Sequence, residues 1–196
     1  MLPSHAEIES AVLASVNALA QRFRTAPYSF LYESDLQATL FVELRSRLTG
    51  RLHIPRSGGG QPPYDLGIVY SEYYSRIDIA CLNPAAVQSV ATSTHKGYDT
   101  YIYNLPVFVG VELKYRKMGD DFDFRACLGD FGKLAGLSVA RPLVLGFIQD
   151  ASDEEAFLSA APSSSRRRSV SELSALSCIC IVSPRNMWTF AANFSA

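Results

Sequence analysis

No apolar run in the 196 residues approaches the ~20 that a helix needs to cross a bilayer. Met1 to Glu7 carries no basic segment followed by a long apolar stretch, so no secretory signal is expected there. Charge of one sign is not in excess either. Eighteen Lys and Arg stand against nineteen Asp and Glu, for a formal net charge of −1. The chain as a whole therefore does not gather a polyanion, and any nucleic-acid contact must come from a local patch. Cysteine is scarce and poorly spaced for metal. The four thiols, Cys81, Cys127, Cys178 and Cys180, form no C-x₂-C pair. His5, His53 and His95 show no metal spacing, so the common zinc arrangements are excluded. Most of the thiols sit in apolar stretches and are expected to be reduced and buried, as suits the cytoplasm or the nucleus of a eukaryote.

What is present is an ordinary globular make-up, 48% hydrophobic and 19% charged. The length suits a single domain over residues 1–196 with its own core. Ser4 and Glu7 form an S-x-x-E box that opens a first helix. Ile8, Val12, Val16, Leu19 and Phe23 follow as one buried stripe. A second helix is expected from near Ser29 to Gly50, with Leu36, Leu40, Leu44 and Leu48 as its stripe. Three residues back along that stripe stands Glu33. A lone carboxylate is costly to bury, so Glu33 either lies beyond the core or points into a polar site.

After the loop composition of Arg56–Pro63 come three strand-like segments, Asp65–Tyr70, Tyr74–Leu82 and Val107–Tyr115. Asp120–Asp123 can cap a helix whose apolar positions include Phe124, Leu128, Phe131, Leu134 and Ala135. Pro142–Ile148 is apolar on both faces, like a central parallel strand. Strand, helix and strand make a βαβ unit. The order from Ser29 to Gln149 thus reads α-β-β-β-α-β, an α/β core with a mixed central sheet. Behind it are expected a short helix (Asp153–Ala160), the basic serine stretch Ser163–Ser169, a helix opened by the Ser169–Glu172 box, and two closing strands (Cys178–Val182 and Met187–Phe190).

Side chains alternate faces along a strand. In the third segment Val107, Val109, Val111 and Leu113 share an apolar face, and Phe108, Gly110, Glu112 and Lys114 share the other. In the second, Arg76, Asp78 and Ala80 lie opposite Ile77 and Ile79. If the two strands are neighbours, Asp78 and Glu112 meet. Two carboxylates at one point repel unless a cation joins them. Mg²⁺, for which Mn²⁺ can substitute, accepts one or two carboxylates together with water and phosphate oxygens. A lysine beside it can orient water or hold a phosphate oxygen.

These residues resemble the PD-(D/E)XK superfamily of restriction-endonuclease-like nucleases. The pattern is an acid on one strand, Asp78 in Arg76-Ile77-Asp78, then (D/E)-x-K on the next, Glu112-Leu113-Lys114. Glu33 matches the Glu that many members carry on the preceding helix. The family's proline before the first acid is replaced by Ile77, and the long interval from Asp78 to Glu112 implies an insertion. The resemblance covers about Ser29 to Gln149. It implies a restriction-endonuclease-like fold with an N-terminal helix and C-terminal strands added. It also implies a metal-dependent endo- or exonuclease acting on DNA rather than RNA. Asp78, Glu112, Lys114 and Glu33 would form the catalytic set, with Asp78, Glu112 and Glu33 as metal ligands. Two-strand cleavage would call for a homodimer.

Helices after the (D/E)-x-K strand often add polar groups in this superfamily. Asp130 and Lys133 are the candidates here, although i,i+3 spacing on a helix favours a plain surface pair. Arg76, Arg116, Lys117 and Lys133 are the candidate nucleic-acid contacts. Ser163–Ser169 and the series Arg45, Arg47, Arg51 and Arg56 suit phosphates or a solvated surface alike. The competing functional reading is a nuclease-fold module without catalysis that binds nucleic acid or a protein partner. A third is an unrelated α/β protein in which E-x-K is chance.

Overall fold

A computed structural model describes residues 2–57, 60–73, 77–87, 94–95, 98–121, 123–153, 156–157, 159, 177–182 and 186–191. Helix α1 (His5–Thr25) opens on the Ser4–Glu7 capping box. Its stripe Ile8, Val12, Val16, Leu19 and Phe23 is buried. A 3-10 turn (Pro27–Ser29) and a short extended stretch lead to α2 (Glu33–Arg47). The second helix thus begins four residues later than the expected Ser29, because Pro27 holds the preceding turn apart from it. Its leucines 36, 40 and 44 are fully buried, and Leu48 nearly so.

A hairpin of β1 (Arg51–Ile54) and β2 (Tyr64–Gly67) precedes the main sheet. The main sheet is mixed. Strands β3 (Val69–Tyr73), β4 (Ile77–Leu82), β7 (Val107–Arg116) and β8 (Arg141–Ile148) lie side by side in that order. They are extended by β9 (Ser177–Val182) and β10 (Asn186–Ala191) at the far edge. β4 runs antiparallel to both β3 and β7, whereas β7 and β8 are parallel. α4 (Phe124–Gly136) makes the crossover between β7 and β8, as the βαβ pattern requires. The interval between β4 and β7 holds a short helix, α3 (Pro84–Val87), and a two-residue ladder of β5 (Thr94–His95) with β6 (Tyr98–Asp99). These elements occupy part of the long interval between Asp78 and Glu112.

Helices cover both faces of β7, which explains why nine of its ten residues are buried. Tyr115 turns toward α1, its ring 6.0 Å from that of Phe23. Phe23 in turn packs on Phe147 and Phe30 at 5.0 and 5.8 Å. Gly110, Glu112 and Lys114 turn the other way, toward α4. A β-carbon on Gly110 would stand 3.0 Å from Val139 Cγ1 and 3.1 Å from Leu134 Cδ2. The missing side chain lets α4 come close enough for its polar residues to reach those of β7. Cys81 and Cys127 are buried free thiols. No helix among the described residues is long and apolar enough to cross a membrane. Arg76, Ser163–Ser169 and the expected helix at Ser169–Glu172 lie outside the described residues.

Candidate active site

The register of β4 on β7 pairs Ala80 with Gly110 and Ile79 with Val111. One further step sets Asp78 opposite Glu112, on the face that meets α4. The two residues lock each other's backbones. The Leu113 amide donates to Asp78 Oδ2 at 2.7 Å, and the Asp78 amide donates to Glu112 Oε1 at 3.4 Å. Glu112 is 1% exposed, and its second oxygen is held by Lys133 Nζ at 2.5 Å. Lys114, two residues along the same face, pairs with Asp130 Oδ2 at 2.9 Å and lies 3.9 Å from Glu33 Oε1. Glu33 Oε2 accepts the Tyr115 amide at 3.0 Å. Asp130 also approaches Lys133 at 3.6 Å. The first turn of α2, two adjacent strands and the middle of α4 thus bring four carboxylates and two lysines together.

Gln37, one turn beyond Glu33, steadies the near side. Its amide nitrogen donates to the Asp78 carbonyl at 2.9 Å and to Glu72 Oε1 at 2.7 Å. Glu72 occupies the left-handed region, with φ of 52°. That conformation is unusual for a residue with a side chain. It lies on the strand paired with β4 and turns a further carboxylate toward Asp78.

Burial sets the protonation pattern. It drives the Glu112 carboxyl up to about 7, and the charge of Asp78 adds to the rise against the opposing pull of Lys133. Asp78 and Glu33 are raised as well, again first by burial. For Lys114 burial pulls the ammonium down, but contact with Asp130 and the charges of Glu33, Asp130 and Asp78 outweigh it, leaving the group above its ordinary value. Among the described residues the carboxylates of the cluster outnumber its lysines, and they carry a standing cost that a further cation would relieve.

Chemical fit to such a cation divides the four acids. Asp78 and Glu112 offer hard oxygen donors from facing positions. Two carboxylates with water and a phosphate are a ligand set that Mg²⁺ accepts. Glu33 turns its oxygens to the Tyr115 amide and Lys114, close enough to Asp78 for that charge to raise its carboxyl. Among the described residues no three His, Cys, Asp or Glu side chains gather into a group that could hold a metal ion unaided. A divalent ion held by Asp78 and Glu112 would need further oxygen ligands from outside the described residues.

Lys133 and Asp130 belong to this cluster, although i,i+3 spacing suggested a surface pair. Each reaches β7 because α4 crosses directly above it. Arg116, expected at a nucleic-acid surface, is instead 7% exposed and pairs with Asp153 at 3.7 Å. Its position at the covered end of β7 removes it from any open groove. Lys117 is half-buried at the rim, its Nζ 5.4 Å from the centre of the Tyr32 ring. The arginine series is engaged elsewhere. Arg47 pairs with Glu43 and Arg51 with Asp65, while Arg45 and Arg56 lie over Phe41 and Tyr64. No family model, no curated protein and no solved structure matches the chain.

Proposed function

We propose that this protein is a metal-dependent nuclease with a restriction-endonuclease-like core of the PD-(D/E)XK kind, hydrolysing phosphodiester bonds, in DNA before RNA. The observation that carries the reading is the meeting of Asp78 with Glu112 across β4 and β7, with Lys114 on the same face between Glu33 and Asp130. The element order α2-β3-β4-β7-α4-β8, with β3, β4, β7 and β8 adjacent in the sheet, is the arrangement that the resemblance implies.

Asp78 and Glu112 would hold the cation. A divalent ion bound there lowers the pKa of water and offsets charge on the phosphate. Lys114 keeps its proton and aims a fixed positive charge at the attacking water or a non-bridging phosphate oxygen. Glu33 and Asp130 flank its ammonium from two sides and position it. Lys133 neutralises Glu112 before the cation arrives, then becomes free to contact the phosphate backbone. The Lys133–Glu112 pair also supports a second reading, in which the lysine replaces the cation permanently and the fold only binds.

Cleavage of plasmid and oligonucleotides in Mg²⁺ or Mn²⁺ separates the two. Wild type should cleave, and EDTA, Asp78→Asn and Lys114→Ala should each abolish the activity. An inactive wild type that also leaves its melting temperature unmoved by Mn²⁺ supports the binding module.

A further inference from the structure

Exposed large apolar side chains are few among the described residues. Four of them, Tyr28, Leu31, Tyr32 and Met118, are 62–68% exposed and lie in the two segments, 27–32 and 117–120, that adjoin Glu33 and the end of β7. The segment that carries the first three is firmly held. Phe30 is buried against Phe23, its carbonyl accepts the Tyr115 hydroxyl at 2.7 Å, and Asp35 Oδ2 takes the amides of Leu31 and Tyr32 at 2.8 and 2.9 Å. Phe30 thus anchors inward while its neighbours are turned out. On the other side, the turn after β7 presents Lys117 and Met118, with the Lys117 amide capped by Asp120 at 2.9 Å. Lys117 Nζ lies over the Tyr32 ring, and the residue after Tyr32 is Glu33 of the cluster.

We infer that this rim is a stacking platform for unpaired nucleotides, so that the substrate class is single-stranded nucleic acid or the frayed end of a duplex. The inference rests on the phosphodiesterase reading of the adjacent cluster. Tyrosine faces bind bases of any sequence by stacking, which paired bases inside a duplex do not offer. A lysine beside them meets the phosphate that follows each base. Duplex binding depends instead on a broad basic groove with many phosphate contacts. Residues 27–32 and 117–120 hold one cation, Lys117, whose amide Asp120 caps, and the adjacent Arg116 is buried. A backbone braced in this way also loses little conformational freedom when a ligand arrives.

The test is fluorescence anisotropy of the full chain with a short labelled oligothymidylate and with a blunt hairpin duplex. Ca²⁺ replaces Mg²⁺ to hold back cleavage. Wild type is expected to bind the single strand at least about tenfold more tightly than the duplex. Tyr32→Ala should weaken single-strand binding about tenfold, whereas Tyr32→Phe keeps it. Lys117→Ala should flatten the salt dependence by about 0.7 in the log–log slope. Equal or tighter duplex binding overturns the inference, as does absence of binding, or single-strand affinity unchanged in both Tyr28→Ala and Tyr32→Ala. Mg²⁺-dependent cleavage read in parallel keeps the two claims apart. Cleavage lost in Asp78→Asn but indifferent to Tyr32 leaves the nuclease without the platform. Tyr32-dependent single-strand binding without any cleavage leaves the platform without the nuclease.

Discussion

Replacing Glu112 with Gln should stabilise the metal-free protein at pH 8 and leave it nearly unchanged at pH 5. The wild-type carboxyl titrates at about 7 in the fold against 4.5 in the unfolded chain. The folded state therefore binds this proton more tightly. Stability is greatest below the unfolded value and falls as pH rises from 4.5 to about 7, after which the loss is complete. At about 1.36 kcal/mol per pH unit, the ionised carboxylate costs the fold about 3 kcal/mol above pH 7. Gln has the shape of the protonated acid and keeps an oxygen for the Asp78 amide. The value of about 7 already includes the pull of Lys133, so the loss of that anionic partner is contained in the figure. The expectation is a gain of about 3 kcal/mol at pH 8. Urea unfolding in EDTA at both pH values measures it. A Glu112→Gln protein that is less stable than wild type at pH 8, or a wild type whose stability climbs from pH 5 to pH 8, refutes the reasoning.

Lys133→Met removes the cation from a carboxylate that is 1% exposed. It should cost about 2 kcal/mol at pH 8 and little at pH 5, where Glu112 is already protonated. Because Lys133 competes for Glu112 Oε2, the same variant should bind Mn²⁺ severalfold more tightly by calorimetry. Gly110→Ala forces a β-carbon to within 3.0 Å of Val139 and 3.1 Å of Leu134, and denaturant unfolding should show a loss of about 1–3 kcal/mol. It should also reduce any metal-dependent activity, since α4 must lift and carry Lys133 and Asp130 away from β7.

Much of the fold was legible because its pattern is local. The stripes of α1 and α2, the apolar β7 and the two-faced β8 each follow from their own residues, and the βαβ unit follows from their order. Glu33 could be singled out because it continues a buried stripe. β1 was missed because Arg51-Leu52-His53-Ile54 is too short and polar to stand out from the loop that follows it, and the expected strand Asp65–Tyr70 is divided between β2 and β3. Asp130 and Lys133 were misplaced for a different reason. Helical spacing sees only the neighbours on one helix, while their partners, Glu112 and Lys114, come from a strand beneath it. The one local sign was Gly110, whose empty side chain lets α4 approach. Arg116 looked accessible next to Lys117 because strand alternation does not tell which end of a strand is covered.

The claim on which the account turns is that Asp78 and Glu112 form one divalent-cation centre. Calorimetric titration of Mn²⁺ into the metal-free protein at pH 8 tests it most directly, with Asp78→Asn beside wild type. The account predicts a single binding event in wild type, weaker at pH 6 because protons compete for carboxyls raised by burial, and no binding in Asp78→Asn. Silent wild type, or equal heats from the two proteins, would contradict it.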